Sequence, residues 1–390
     1  MLSIEERRAA RKAFARQVRQ EHARREVVTI SPPLPEGRAA PVQRPPVRVA
    51  IATPVLYVGG AEQWIASLCQ WLDPDRALVT KVIVLFPNAI NDVAVSWLPR
   101  WVQVVDSRKI EQDATFDVVV TWGLLDLVER TSHLTCPTID VQHGVFMHAT
   151  WQSPLVAAAT RAHELLGTTI VGVNEAVRQN FPEHVRDDVV IIPNGSDPGR
   201  VHPLVDRDEL KASLGLSPEH KVVVYIGRIA VEKNVQALID AVEHLDESWH
   251  AVIIGPQYVP LERLGPRVHL LPAQRRIGNW LGIADVLCHP SDYESHCFSI
   301  NEAWLAGVPV VSCDYLVNRQ FEERHGPLMW LVPTRPEPAR LAAAIVEAFE
   351  NRTDPRVAHA RDVANREYAA PVMGRRWSDL CQHVLHGRLA

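Results

Sequence analysis

The sequence predicts an α/β protein built from two doubly wound domains with a cleft between them. From residue 47 onward, short runs of β-branched and apolar residues alternate with helical stretches, and this series occurs twice. The runs are continuous rather than alternating, which is typical of parallel strands covered on both faces. Because open α/β sheets bind ligands at the carboxyl ends of their strands, we expect the functional site in the cleft.

The elements follow this order along the chain. The first series has a helix at 61–72 and six strands: VRVAIAT (47–53), KVIVLF (81–86), DVVVTW (117–122), TIDVQH (138–143), TIVGVN (169–174) and VVIIPN (189–194). The second has helices at 234–245, 298–306 and 337–350 and five strands: KVVVYIG (221–227), AVIIG (251–255), RVHLL (267–271), DVLCHP (285–290) and VPVVSC (308–313).

The turn-rich stretch IIPNGSDPGRVHP (191–203) separates the two series and is typical of a hinge. We therefore place an N-terminal α/β domain at 47–195 and a C-terminal one at 196–372. The last predicted element is a helix at 373–390, which could pack back on the first domain.

Residues 1–46 differ from the rest. Residues 1–30 contain eight basic and four acidic side chains and are rich in helix formers, whereas residues 31–46 contain six prolines and predict an extended spacer. Two hypotheses for this charged helical arm stay open. It is either a solvated helix that rests on its own domain or on a second subunit, or a basic helix that contacts anionic lipid or a polyanionic acceptor.

Composition and charge exclude several classes of protein. The length of 390 residues predicts two or three domains. The formal net charge of −5 excludes a broadly basic protein that binds nucleic acid non-specifically. The six cysteines form no CxxC pair, so we expect reduced thiols and no metal site. The amino terminus lacks the apolar core of a signal peptide, and no run is long enough to cross a membrane. These features predict a cytoplasmic protein, peripheral at the membrane at most.

Two segments could bind phosphate. Gly59 and Gly60 lie between the first strand and a helix, where backbone amides approach an anion, although such a pair also serves in ordinary turns. Arg228 and Lys233 follow the first strand of the second series. Two cations at the carboxyl end of a strand suit a diphosphate, and the alternative is a pair of surface cations.

The segment HPSDYESHCFSINEAWLAGVPVV offers the most polar groups. Glu294 lies in its predicted loop and Glu302 one turn into the helix that follows, so both could face one ligand. The free amides at the helix start, from Cys297 through Phe298 to Ser299, would point at an anion. A solvated pair of glutamates is the alternative.

Five motifs in one order resemble the retaining GT-B glycosyltransferases of the GT4 type. They are GGAE after the first strand, HG at 143–144, PNG at 193–195, GR…EKN at 227–234, and a pair of glutamates separated by seven residues that leads into EAWLAGVPVV. The resemblance covers residues 47–350. It implies two facing Rossmann-like domains that use a nucleoside diphosphate sugar without a metal ion or other cofactor.

The resemblance implies a role for each matching residue. Arg228 and Lys233 would contact the donor diphosphate, Glu302 the ribose hydroxyls and Glu294 the hydroxyls of the transferred sugar. On the facing domain, His143 would lie beside that sugar. We count His143, Glu294, Arg228 and Lys233 as the catalytic group.

Further residues complete the predicted donor site. Gly60 would shape the loop near the diphosphate. After Glu294 the family usually has small glycines, whereas here Ser295, His296 and Cys297 follow. For His296, a contact with the ligand and a packing role are equally open.

The chemical identity of the donor is predicted more closely than that of the acceptor. We expect a nucleoside diphosphate hexose, with uridine favoured over guanosine. The acceptor stays open among glycans, lipid-linked intermediates and small molecules, with protein and nucleic acid less favoured. The alternative functions are a nucleotide-sugar epimerase or phosphorylase of the same fold, and a non-catalytic nucleotide-sugar-binding subunit that assembles through residues 1–30.

The remaining features predict structural roles. Asp73-Pro74-Asp75 could chelate a metal but is more typical of a turn after a helix. Trp64, Trp122 and Trp151 could stack on an acceptor, although core packing is favoured. We expect His148 and His163 to be surface or packing residues and not ligands.

Overall fold

The structure is a computed structural model that describes residues 45–57, 59–86, 88–107, 115–144 and 154–387. It divides into two compact units. The first comprises the described residues up to Ile192 and those from Met373 on, and the second runs from Pro193 to Val372. The predicted arm and most of the spacer, together with His148 and Trp151, lie outside the described residues.

The first unit contains a parallel sheet in the order β3-β2-β1-β4-β5-β6-β7. Its strands are β1 Val47–Thr53, β2 Ala77–Val84, β3 Gln103–Asp106, β4 Val118–Trp122, β5 Thr138–Gln142, β6 Thr169–Gly172 and β7 Val190–Ile191. Its helices are α1 Gly60–Trp71, α2 Asp92–Val95, α3 Leu127–Thr131, α4 Pro154–Leu166, α5 Glu175–Arg178 and α6 Glu183–Arg186. β1 is fully buried except at Arg48, as expected of a central strand covered on both faces.

The second unit contains a parallel sheet in the order β10-β9-β8-β11-β12-β13. Its strands are β8 Lys221–Ile226, β9 Trp249–Ile254, β10 Val268–Leu271, β11 Val286–His289, β12 Val310–Cys313 and β13 Trp330–Val332. Its helices are α7 Arg207–Ser213, α8 Val235–Val242, α9 Ile277–Ile283, α10 Phe298–Ala306, α11 Leu316–His325, α12 Pro338–Glu350 and α13 Pro355–Glu367. Its core joins β8, β9, α9 and α10. The last helix, α14 Ala370–His386, belongs to the first unit from Met373 on.

The predicted doubly wound architecture is confirmed, with local differences. The bounds of the strand at 47–53 and the helix at 298–306 agree with β1 and α10. β3 and β13, short strands of four and three residues, were not predicted. The predicted strand at 189–194 is too long, because β7 has only two residues before the backbone leaves the sheet.

Three minor predictions can be checked in the first unit. Asp73 Oδ1 accepts a hydrogen bond from the Asp75 backbone N–H at 3.1 Å, as the turn interpretation requires. Trp64 is buried against Trp377, with ring centroids 5.6 Å apart, so it packs in the core. His163 bonds through Nδ1 to the Thr168 carbonyl at 2.9 Å, which is a packing role.

All six cysteines are unpaired. In the part of the chain that the structure describes, no helix has both the length and the apolar character needed to cross a membrane.

Asp140 is a buried carboxyl group in the middle of β5. It accepts hydrogen bonds from Thr121 Oγ1 at 2.7 Å and from Gln142 Nε2 at 2.5 Å. Burial raises the pKa of Asp140 to about 7, although both hydrogen bonds lower it. The folded pKa of Asp140 thus lies above its unfolded value. The protonated carboxyl therefore makes its full contribution to the stability of the folded protein below the unfolded pKa, and this contribution is lost as the pH rises through about 7.

The Asp140→Asn variant should lack this pH-dependent loss of stability, because asparagine has the size of aspartate but no group that ionises in this pH range. Relative to the variant, the wild-type free energy of unfolding should fall by up to about 1.4 kcal/mol per pH unit between about pH 4 and about pH 7. Denaturant unfolding across this range measures the difference, with Asp75→Asn, at an exposed aspartate, as control. Parallel curves for wild type and Asp140→Asn would show that Asp140 ionises normally.

Candidate functional site

The second sheet has a topological switch point between β8 and β11. Its six strands, taken in chain order, have the arrangement 3-2-1-4-5-6, so the connections leave β8 and β11 in opposite directions. A crevice opens at such a point outside the carboxyl ends of the strands. Both polar segments singled out from the sequence leave these two strands, since Arg228 and Lys233 follow β8 and Glu294 follows β11.

Lys233 and Glu294 form an ion pair across the switch point. Lys233 ends a short 3₁₀ helix, Val231–Lys233, and its Nζ lies 2.5 Å from Glu294 Oε1. Only 11% of the lysine side chain and 15% of the glutamate side chain are exposed. Two oppositely charged groups, 61 residues apart in sequence, are therefore held together at the mouth of the crevice.

The charge state of Glu294 follows from this contact. Burial alone would raise the pKa of Glu294, but the positive charge and the hydrogen bond of Lys233, together with His289 and Arg228, lower it overall. Glu294 is therefore an ionised acceptor. It suits ligand hydroxyl groups, and the adjacent ammonium suits phosphate oxygens.

His289, at the end of β11, lies beneath this pair. Its side chain is 2% exposed and stacks on Tyr225, with ring centroids 5.5 Å apart. Burial lowers the pKa of His289 to about 4, so the imidazole is neutral near pH 7. Its Nε2 lies 3.2 Å from Cys297 Sγ, and burial followed by the charge of Glu294 raises the pKa of that thiol to about 12. Imidazole, thiol and carboxylate therefore meet in one place.

Arg228 points along the same loop and is more exposed. Its guanidinium lies 3.3 Å from Glu232 Oε1, and 48% of its side chain is accessible. Tyr225 donates a hydrogen bond to the Arg228 carbonyl at 2.8 Å and so fixes the start of the loop. An anion that binds Arg228 has to compete with Glu232 for it.

Gly227 and Gly255 let the loops after β8 and β9 approach each other closely. A Cβ on Gly255 would lie 1.9 Å from the Gly227 carbonyl oxygen, and its φ of 150° favours glycine as well. Larger residues at this position would push the β8 loop away and move Arg228.

The start of α10 lies beside Glu294. Extended backbone at Cys297 leads into the helix at Phe298 and Ser299, whose first amides have no partner within the helix itself. Glu302, in the second turn, has a side chain that is 3% exposed, and Arg200 Nε lies 3.9 Å from its Oε1. The first two turns of α10 and the residue before them thus hold four of the predicted donor-site residues: Cys297, Phe298, Ser299 and Glu302.

His296 lies in an aromatic cluster. Its ring contacts Phe298, Phe321 and Tyr368 at centroid distances of 6.3, 5.9 and 5.5 Å. Burial lowers the pKa of His296 to about 4. It also lines a small cavity of about 10 Å³ beside Trp304, about the room one water molecule needs. The structure therefore gives His296 a packing environment beside a small cavity.

The two predicted residues of the first unit lie on separate elements. Gly60 is exposed and opens α1. His143 directly follows β5, and its ring lies edge-on to Trp64 and Trp122, at centroid distances of 4.8 and 6.0 Å. Two indoles therefore restrict the orientation of the imidazole.

Three residues of the site were not predicted from the sequence: His289, Ser291 and Arg200. His289 and Ser291 flank Pro290 at the carboxyl end of β11, a position that could have marked them as site residues. Arg200 lies in the 3₁₀ helix Pro198–Arg200, about 100 residues before its partner Glu302, and no local pattern connects the two.

Comparison with known proteins shows that part of this chain is similar to glycosyltransferases. Residues 220–351 match the family model described as "Glycosyl transferases group 1". A D-inositol 3-phosphate glycosyltransferase of Xylanimonas cellulosilytica is 30% identical over 172 residues, 37% of this chain and 41% of the relative. A GDP-mannose-dependent alpha-mannosyltransferase of Corynebacterium glutamicum is 28% identical over 131 residues, 33% of this chain and 32% of the relative. The matched segment thus spans less than half of either relative.

The fold has solved counterparts. The crystal structure of Anabaena HepE in complex with UDP and glucose is 20% identical and has a TM-score of 0.73, covering 86% of this chain and 99% of that one. This likeness and the two parallel sheets confirm the predicted α/β fold of the GT-B type.

Proposed function

We propose that this chain, whose residues 220–351 match the glycosyl transferases group 1 family model, is a retaining glycosyltransferase that moves a hexose from a nucleoside diphosphate sugar to an acceptor. The Lys233–Glu294 pair at the switch point carries the proposal. An ammonium and a carboxylate on neighbouring strand ends suit the two halves of such a donor, its diphosphate and the hydroxyls of its sugar.

The chemistry follows from where charge develops. As the bond between the anomeric carbon and the diphosphate breaks, negative charge grows on the leaving oxygens. The acceptor oxygen bonds to the anomeric carbon with the same configuration, and its proton passes to the departing diphosphate. Lys233, Arg228 and the amides at the start of α10 are fixed positive groups that stabilise this charge most in the transition state. Glu294 would hold the sugar hydroxyls. In this proposal the side chains stabilise the leaving group and hold the sugar without a metal ion or cofactor. The roles implied for His143 and Gly60 stay predictions.

Uridine is the proposed base of the donor. The HepE structure, which covers most of this chain, contains UDP, and this favours uridine over the GDP-mannose named for the shorter mannosyltransferase match. The acceptor would present a hydroxyl of a glycan, a lipid-linked intermediate or a small molecule.

A nucleotide screen by thermal denaturation tests the site. At about a hundred times its Kd, a ligand of the native state adds about 2.7 kcal/mol of stability, and each kcal/mol raises the Tm of a domain this size by about 2–4 °C. We expect UDP to raise the Tm by several degrees and more than GDP, ADP or TDP. If none of the four raises the Tm at millimolar concentration, the nucleotide site is wrong.

Donor hydrolysis separates the competing functions. A transferase releases sugar slowly to water when no acceptor is present, an epimerase interconverts the sugars of its donor, and a binding subunit does neither. Incubation of the full chain with UDP-hexoses, followed by chromatography of the sugar products, should show slow release of an unchanged hexose. Interconversion or complete inertness would contradict the proposed transfer.

A further inference from the structure

Three different metal-ligating atoms converge beneath the Lys233–Glu294 pair. His289 Nε2, Glu294 Oε1 and Cys297 Sγ all lie within 4.8 Å of one another. The Nε2 atom is 3.2 Å from the sulfur and 3.5 Å from the carboxylate oxygen. The nucleotide-sugar site described above uses neither the imidazole nor the thiol, so this grouping needs its own explanation.

Ser291 fixes the imidazole in the orientation of a metal ligand. Its hydroxyl lies 3.3 Å from Glu294 Oε1 and 3.1 Å from His289 Nδ1. A carboxylate only accepts hydrogen bonds, so Ser291 donates to Glu294. In the His289 tautomer that carries its proton on Nδ1, that proton is donated to Ser291 Oγ, and the lone pair of Nε2 faces the thiol and the carboxylate. A ligating histidine that donates its other ring proton to a neighbour is the usual support of a metal site.

The thiol of Cys297 also has neighbouring groups that would orient it as a metal ligand. Ser299 Oγ lies 3.1 Å from Cys297 Sγ, and the backbone N–H of Ile300 is directed at the sulfur. Both groups would stabilise a thiolate once a cation replaces the thiol proton. The partly exposed Glu294 side chain gives the cation access from solvent.

We propose that His289, Glu294 and Cys297 form an inhibitory site for a thiophilic divalent cation such as Zn²⁺. Zinc binds nitrogen, sulfur and oxygen at about 2.0–2.3 Å, and three protein ligands leave a fourth position for water. Softness favours Zn²⁺ and Co²⁺ over Mg²⁺ at a thiolate and an imidazole. Binding forms the metal–sulfur bond, releases the thiol proton to solvent and takes Glu294 Oε1 away from Lys233.

The inhibitory effect rests on the proposed function. A cation on Glu294 removes the carboxylate from the sugar hydroxyls and places a second positive charge beside Lys233. Transfer should therefore survive EDTA, stop when Zn²⁺ binds, and resume when EDTA removes the Zn²⁺. Because the ammonium repels the cation, Lys233→Met should bind the metal more tightly than wild type.

Titration of Co²⁺ into the nucleotide-free full chain tests the site without measuring activity. We expect one equivalent to give the near-ultraviolet absorption of a thiolate–Co²⁺ bond, and Zn²⁺ to abolish it by displacement. Cys297→Ser should lose this absorption, while the matched control Cys136→Ser, in the other unit, should keep it. Ser291→Ala should weaken Co²⁺ binding by about 10–100-fold, the usual effect of losing a partner that orients a ligand.

The outcomes separate the two proposals. Absence of the absorption, or its persistence in a folded Cys297→Ser variant, overturns the metal site and leaves the nucleotide site untouched. Zn²⁺ that binds through Cys297 without slowing donor hydrolysis overturns the inhibitory role. The UDP thermal shift, measured with EDTA present, tests the proposed function independently of both.

Discussion

Replacing Lys233 by alanine is expected to lower kcat by about a hundredfold or more, the usual effect of removing a preorganised group that stabilises transition-state charge. The ammonium of Lys233 is already held in place by Glu294 and is largely shielded from water, so little reorganisation is needed when a diphosphate leaves. The rate of UDP-hexose hydrolysis at saturating donor measures this effect before the acceptor is known. Arg228, which is half-exposed and paired with Glu232, should matter less than Lys233.

The loss must be separated from unfolding. Without Lys233, the partly buried carboxylate of Glu294 loses the main positive charge that lowers its pKa, so a moderate fall in Tm is expected as well. Lys233→Met, which keeps the apolar stem, serves as the second variant. Lys221→Ala is the matched control, since it removes a lysine of the same unit that pairs with Asp246 at 3.3 Å. A folded Lys233→Ala protein with wild-type kcat would leave Lys233 as a structural partner of Glu294 only.

The sequence predicts where the charged groups lie along the chain but not which of them meet. Lys233 and Glu294 could each be placed after a buried strand, because β-branched runs and the punctuation after them are local signals. Their ion pair depends on β8 lying next to β11, and that adjacency is a property of the sheet order. No spacing rule connects residues across such a crossover, so the pair became visible only in the fold.

Of the two strands that were not predicted, only β3 lacks a local signal, because it contains a polar residue at each end. β13 lies in the apolar run at 328–332, which is short and follows directly on a Gly-Pro pair. His289 was passed over for another reason. A histidine at the end of an apolar strand looks like a packing residue until Ser291 and Cys297 are seen beside its two ring nitrogens.

Glu302→Gln is expected to weaken UDP binding by about 10–100-fold, because a hydrogen bond to a charged group contributes about 1.5–3 kcal/mol. The resemblance to GT4 enzymes gives Glu302 the ribose hydroxyls, and the structure holds its buried carboxylate in the second turn of α10 with Arg200 Nε 3.9 Å away. Glutamine keeps the shape and loses the charge and one acceptor. Because the ribose takes no part in bond breaking, kcat at saturating donor should change much less than the Kd for UDP.

Calorimetric titration of UDP and donor-saturation kinetics on the same preparation measure the two effects. Glu243→Gln, which neutralises an exposed carboxylate of the same unit, is the control and should bind UDP like wild type. Glu294→Gln should show the opposite division, with kcat falling further than affinity, since its carboxylate would act on the transferred sugar. If Glu302→Gln instead keeps its Kd and loses kcat, the two glutamates have exchanged roles, and the carboxylate paired with Lys233 is the one that holds the ribose.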